Sequence, residues 1–125
     1  FKKNKEKFDV ITCLEMLEHV PDPSSIINKC AALLKPEGTI FFSTINRNPK
    51  SFLFAIVGAE YILKLLPKGT HEYSKFITPS ELRDWCLKYK LDFKSIVGMT
   101  YNPFFETYKL GEDTSVNYIV EAKFL

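Results

Sequence analysis

Residues 8–19 read Phe-Asp-Val-Ile-Thr-Cys-Leu-Glu-Met-Leu-Glu-His. Phe8, Val10, Ile11 and Cys13 form a short apolar run, with Asp9 near its entrance. Such a run bounded by polar residues reads as a buried strand, although periodicity alone leaves a buried helix open. Two carboxylates and an imidazole follow at once. Open α/β sheets keep their clefts beyond the carboxyl ends of their strands, so this sequence predicts chemistry at Glu15, Glu18 and His19 and an enzyme built around that edge.

The segment downstream makes the strand part of a larger unit. Asp22 is a good helix N-cap and Pro23 suits the first helical position. Ile26, Ile27, Cys30, Ala31, Leu33 and Leu34 then recur at helical spacing, and Pro36 and Gly38 signal the stop. A second apolar strand is predicted over 39–45. Strand, helix and strand make a βαβ unit, which requires parallel strands and a right-handed crossover. Both strand ends then lie on one sheet edge. Glu15, Glu18 and His19 share that edge with Thr44, Asn46 and Arg47.

Residues 51–66 are unusually apolar. Phe52, Ala55, Ile56, Ala59, Ile62, Leu63 and Leu66 fall on one helical stripe, while Phe54, Val57, Tyr61 and Leu65 lie off it. A domain helix needs one apolar face, and this one has more. Glu60 and Lys64 interrupt it, so it falls short of the roughly 20 apolar residues of a membrane span. The segment reads either as a fully buried helix or as a lid that meets an apolar substrate or a bilayer interface, flanked by Lys50, Lys64 and Lys68. His71 follows in a loop, where a histidine is ordinarily a surface residue but can also face a site. Thr78-Pro79-Ser80-Glu81 is a capping box that opens a further helix. Residues 93–101 and 116–124 alternate, with turn residues at 102–103 and 111–113, and predict a terminal antiparallel pair.

Composition bounds the rest. The chain has 125 residues, enough for one domain, and 26% of them are charged. A net charge of +2 gives no argument for nucleic acid, and the lysines at 2, 3, 5 and 7 read as a solvated loop. The three cysteines are odd in number and lack metal-ligand spacing, which points to a reducing compartment. No secretory signal opens the sequence, and a start at Phe1 without methionine reads as a cut.

The spacing i, i+3, i+4 places Glu15, Glu18 and His19 on one face if they form a helical turn. Such a trio suits a divalent cation, with Mg²⁺ or Mn²⁺ favoured by the oxygen donors and Zn²⁺ open through the imidazole. A catechol-like substrate can meet that metal through two oxygens, with the metal lowering the pKa of a bound hydroxyl. Without a metal, His19 or His71 is a candidate general base. The structural alternative is that these carboxylates cap amides and the imidazole meets a carbonyl.

The runs E-M-L-E-H-V-P-D-P and L-K-P-E-G-T-I-F-F-S-T-I-N-R resemble the later half of a class I S-adenosylmethionine-dependent methyltransferase. V-G-A-E-Y-I-L-K-L-L-P-K-G-T-H, with Y-N-P, K-L-G and V-N-Y, is similar more specifically to the O-methyltransferases of ubiquinone biosynthesis. The resemblance covers most of residues 8–120. It implies an α/β fold, the C-terminal part of a Rossmann-like sheet with parallel strands and a terminal antiparallel pair, holding the fourth to seventh strands. Residues 1–125 would be the C-terminal part of a methyltransferase domain whose cofactor-binding N-terminal half, with its glycine-rich loop, is absent. The implied reaction is S-adenosylmethionine-dependent O-methylation of a ring hydroxyl on a polyprenylated phenol or catechol. By the same resemblance Leu14 contacts the cofactor, Glu15, Glu18 and His19 hold a divalent cation (Mg²⁺ first), His71 serves the substrate side, and residues 48–72 form an apolar lid or membrane-contacting insertion. The implied setting is cytoplasmic, peripheral on a bacterial inner membrane or the matrix side of the mitochondrial one, with other ubiquinone-biosynthesis proteins as partners. A non-catalytic membrane-associating fragment and a methyltransferase for another small molecule are the alternative readings.

Overall fold

The computed structural model describes residues 6–125 except 55, 57–63, 65, 66, 68, 70, 71 and 103. The predicted βαβ unit is present. Strand β1 (Phe8–Leu14) leads through helix α1 (Pro23–Leu33) to strand β2 (Leu34–Ile45), and the two strands are parallel. Asp22 occupies the N-cap position, but its side chain makes no capping bond. Ser25 instead donates its hydroxyl to the Asp22 carbonyl at 2.8 Å.

Strand β2 starts five residues earlier than the sequence suggests. The helix-stop signals Pro36 and Gly38 lie inside it, where the β1–β2 register shifts between the pairs Phe8–Leu34 and Val10–Thr39. A bulge tolerates a proline because the ladder there needs no N–H. A β-carbon on Gly38 would stand 2.9 Å from the Asp9 carbonyl oxygen, so the close approach of β1 requires glycine.

A one-turn helix α2 (Pro49–Ser51) and helix α3 (Pro79–Lys88) precede the last three strands, β3 (Leu91–Asn102), β4 (Thr107–Gly111) and β5 (Asn117–Phe124). The sheet order is β1-β2-β5-β3-β4. The expected terminal antiparallel pair is β3 with β5. Strand β5 inserts between β2 and β3 and runs antiparallel to both. Strand β4 is an addition: it pairs with the end of β3 as a fully exposed hairpin arm, so no burial alternation marks it in the sequence.

The core forms where α1 and α3 pack over the sheet. Ile27 of α1 and Leu82 and Cys86 of α3 meet Cys13, Ile40, Phe42, Tyr118, Val120 and Ala122, all buried. The capping box on α3 is complete, with the Thr78 amide donating to Glu81 and the Glu81 amide to Thr78 Oγ1. The Tyr118 hydroxyl donates to the Ile77 carbonyl at 2.6 Å, tying the start of α3 to the central strand. All three cysteines are free thiols.

Much of the apolar 51–66 segment, and His71 with it, lies outside the described residues. Within the described part, Ser51 is buried, whereas Phe52, Leu53 and Phe54 are exposed. A fully buried helix therefore does not describe the start of this segment. Among the described residues no helix is long and apolar enough to cross a membrane.

Candidate functional site

The carboxyl ends of β1 and β2 bring the predicted residues to one edge. Leu14 closes β1 opposite Ser43 and is 53% exposed. The chain then turns sharply. Glu15 takes a left-handed conformation (φ 53°), uncommon for a residue with a side chain, and its amide donates to both the carbonyl and the hydroxyl of Ser43 at 3.0 Å. A 3₁₀ turn over Leu17–His19 follows, anchored by the fully buried Leu17.

Glu15 therefore stands outside the turn that carries Glu18 and His19. The expectation of three side chains on one helical turn is corrected here, because the left-handed residue breaks the turn between the first donor and the other two. The carboxylates meet nonetheless. Glu18 stands close enough to Glu15 to raise its carboxyl pKa. Glu18 is buried, at 4% exposure, and accepts from Thr44 Oγ1 at 2.7 Å. Glu15 Oε1 accepts from Asn117 Nδ2 at 3.3 Å and from Ser43 Oγ at 3.4 Å. His19 Nε2 is 3.9 Å from Glu18 Oε1, and its ring is about half exposed. Among the described residues no three His, Cys, Asp or Glu side chains are gathered into a metal cluster. The paired carboxylates match the oxygen preference of a hard cation, with His19 beside them rather than converging on the same point.

Burial, and then the contact and charge of the adjacent Glu18, push the Glu15 carboxyl up to about 7, against a smaller downward pull from Asn117 and Ser43. A carboxyl whose folded pKa is raised binds its proton more tightly when folded. Its stabilisation is complete below the unfolded value of 4.5 and is lost as pH rises through about 7. Glu15→Gln keeps a neutral, hydrogen-bonding group at every pH. It is expected to exceed wild type by about 2 kcal/mol at pH 8 and to converge with it near pH 4.5. Urea unfolding at both pH values measures this, and a constant difference between the two proteins would count against the raised carboxyl.

Thr44 lies at the edge as the sequence suggested, whereas Asn46 and Arg47 serve the scaffold. Asn46 Nδ2 donates to the Thr114 carbonyl at 3.1 Å. Arg47 spans the Phe76 carbonyl at 2.8 Å and the Glu81 carboxylate at 2.7 Å. Sequence reasoning missed Ser43, Asn117, Glu72 and Lys75. Ser43 carried a signal, as the residue before Thr44 at a parallel strand end; Asn117, 102 residues from Glu15, carried none. Glu72 and Lys75 line a polar cleft of about 150 Å³ together with Glu18, His19 and Gly69.

Residues 1–95 match a family model described as a methyltransferase domain. The chain is 64% identical over 117 residues to the ubiquinone biosynthesis O-methyltransferase of Hahella chejuensis, covering 94% of this chain and 49% of that protein. It thus spans about half the length of the curated relatives it matches. Among solved structures it is similar to a SAM-dependent methyltransferase of Thermotoga maritima described as a possible histamine N-methyltransferase, with TM-score 0.65, 21% identity, and 95% of this chain and 56% of that one covered. It is also similar to the magnesium protoporphyrin IX methyltransferase of Synechocystis with bound SAH, with TM-score 0.60, 18% identity, and 94% and 45% covered. The sheet order, the site at the carboxyl ends of its parallel strands and the extent of the family match lead to one conclusion: the chain belongs to the methyltransferase-domain family.

Proposed function

We propose that this chain forms the C-terminal part of an S-adenosylmethionine-dependent O-methyltransferase that methylates a ring hydroxyl of a polyprenylated phenol or catechol in ubiquinone biosynthesis. The observation that carries this reading is the 64% identity, over nearly the whole chain, to a relative named as a ubiquinone biosynthesis O-methyltransferase. The edge geometry supports it, because an exposed apolar Leu14 stands beside a buried Glu18 and a partly buried Glu15 where parallel strands end.

When bound, the cofactor supplies the electrophilic methyl group. Leu14 offers apolar surface to its adenine end. Ser43, Thr44 and Asn117 hold the two carboxylates in place, so that the acceptor oxygen meets a preorganised edge, and proximity supplies much of the rate. Glu15 and Glu18, with His19 alongside, would hold a divalent cation, Mg²⁺ first, which would lower the pKa of the acceptor hydroxyl. His71 is assigned to the substrate side.

The same reading gives the exposed Phe52, Leu53 and Phe54 an apolar partner, either the acceptor's tail or the membrane in which such an acceptor dissolves. It places the protein on the cytoplasmic side of a bacterial inner membrane, or in the mitochondrial matrix, beside other proteins of the pathway. Changing Phe52 and Phe54 together to Ser is expected to reduce co-sedimentation with anionic vesicles about tenfold, from the apolar area removed. Unchanged co-sedimentation would detach the membrane from this segment. The test of the function itself is transfer of a labelled methyl group from S-adenosylmethionine to a prenylated catechol by the intact enzyme. Transfer to protein or nucleic acid in its place would overturn the reading.

A further inference from the structure

The polar cleft beside the carboxylate pair has a wall that the proposed reaction has not yet used. It lies between the 3₁₀ turn of Leu17–His19 and a second 3₁₀ turn over Tyr73–Lys75, and it is lined by Glu18, His19, Gly69, Glu72 and Lys75. At about 150 Å³ it is well below the several hundred cubic ångströms of a pocket that takes a whole drug-sized ligand. It has room for one ring, and anything attached to that ring must lie outside. Among the described residues, Lys75 is the lysine on this wall. Its ammonium stands 3.7 Å from the Glu72 carboxylate, and both side chains are about half exposed, so the pair is weakly held and can re-aim.

The turn that supplies Lys75 to the wall also carries an aromatic ring. Tyr73, in the same turn as Lys75, makes an edge-to-face contact with Phe52 at 5.5 Å between centroids and another with Phe76 at 5.5 Å. Phe52 continues into the exposed Leu53 and Phe54. A polar one-ring cleft whose Tyr73–Lys75 wall continues into an aromatic and aliphatic segment fits a molecule with a hydroxylated ring at one end and a hydrocarbon chain at the other.

We propose that this cleft receives the ring end of the methyl acceptor, that Lys75 donates to a ring oxygen, and that Tyr73 and Phe52 carry the first part of the chain. This rests on the methyltransferase reading and names the acceptor subsite within it. Lys75 supplies an ionic donor to an acceptor oxygen, the strongest kind of hydrogen bond the wall can make. Glu72 competes for the same ammonium and so opposes binding.

The test is isothermal titration of 4-butylcatechol into the intact enzyme, with butylbenzene as the ligand lacking hydroxyls. Lys75→Gln is expected to weaken catechol binding at least about tenfold and to leave butylbenzene unaffected. Lys75→Arg restores most of the loss, and Glu72→Gln strengthens binding by about threefold. A merely structural Lys75 would give no rescue and no opposite effect at Glu72. Equal catechol affinity in wild type and Lys75→Gln, or no catechol binding by wild type, overturns the subsite. Methyl transfer is assayed separately: normal transfer with an unaffected Lys75→Gln sinks the subsite alone, whereas Lys75-dependent catechol binding without methyl transfer sinks the reaction alone.

Discussion

Glu18→Gln is expected to lower methyl transfer by the intact enzyme about a hundredfold while leaving it folded. The carboxylate is buried and held by the Thr44 hydroxyl at 2.7 Å, and it is the common neighbour of Glu15 and His19. Glutamine preserves shape and can still accept from Thr44, but it removes the charge on which a cation, or a proton shared with Glu15, depends. The matching control is Thr44→Val, which leaves the charge and removes only its hydroxyl partner, and should cost far less activity. Steady-state rates read alongside melting temperature separate the two effects. If Glu18→Gln turns over normally, the carboxylate pair belongs to the scaffold. If wild type is indifferent to chelation while Glu18→Gln is slow, the residue acts without a cation.

The largest effect on stability is expected at Gly98. This residue of β3 is buried, paired with Tyr118 on one side and Gly111 on the other. A β-carbon there would overlap the Asp113 carbonyl and stand 2.9 Å from the Thr114 amide nitrogen. These are backbone atoms, so no side-chain rotation relieves the clash. The loop they belong to is itself pinned: Asn46 donates to the Thr114 carbonyl, Asn48 to the Ser115 carbonyl, and Lys50 pairs with Asp113 at 3.0 Å. Gly98→Ala is therefore expected to cost about 3 kcal/mol and roughly 10 °C in Tm. Gly111→Ala, with nothing within 4 Å of the added carbon, should change stability by no more than about 0.5 kcal/mol. Thermal melts of the two variants make the comparison, and equal melting points would mean that the 113–115 loop yields freely.

What the sequence revealed follows the range of the forces involved. The βαβ unit and the Thr78–Glu81 capping box rest on local chemistry, and both stand where the residues placed them. Pro36 and Gly38 misled because their meaning depends on the partner strand: a helix stop in isolation becomes a bulge once Asp9 lies against it. Strand β4 was hidden because its residues all face solvent. The carboxylate edge was legible from strand ends alone, but the geometry within it was not. That Glu15 turns left-handed, and that Asn117 reaches it, depends on β5 entering the sheet beside β2. Lys75 was invisible for the same reason, since only the folded chain sets its turn across from Leu17–His19.

The position of β5 has a consequence for the order in which the molecule comes into being. It comes after the other described strands along the chain yet lies between β2 and β3 in the sheet. As the polypeptide leaves the ribosome, β1 with β2 and β3 with β4 can form early, but only as two separate pairs with unsatisfied inner edges. The seam closes when residues 117–124 emerge and pair on both sides at once. Until then Asn117 is missing from Glu15, and Tyr118 from the core. Without residues 117–124, β1–β2 and β3–β4 would be two half-sheets with no strand to join them.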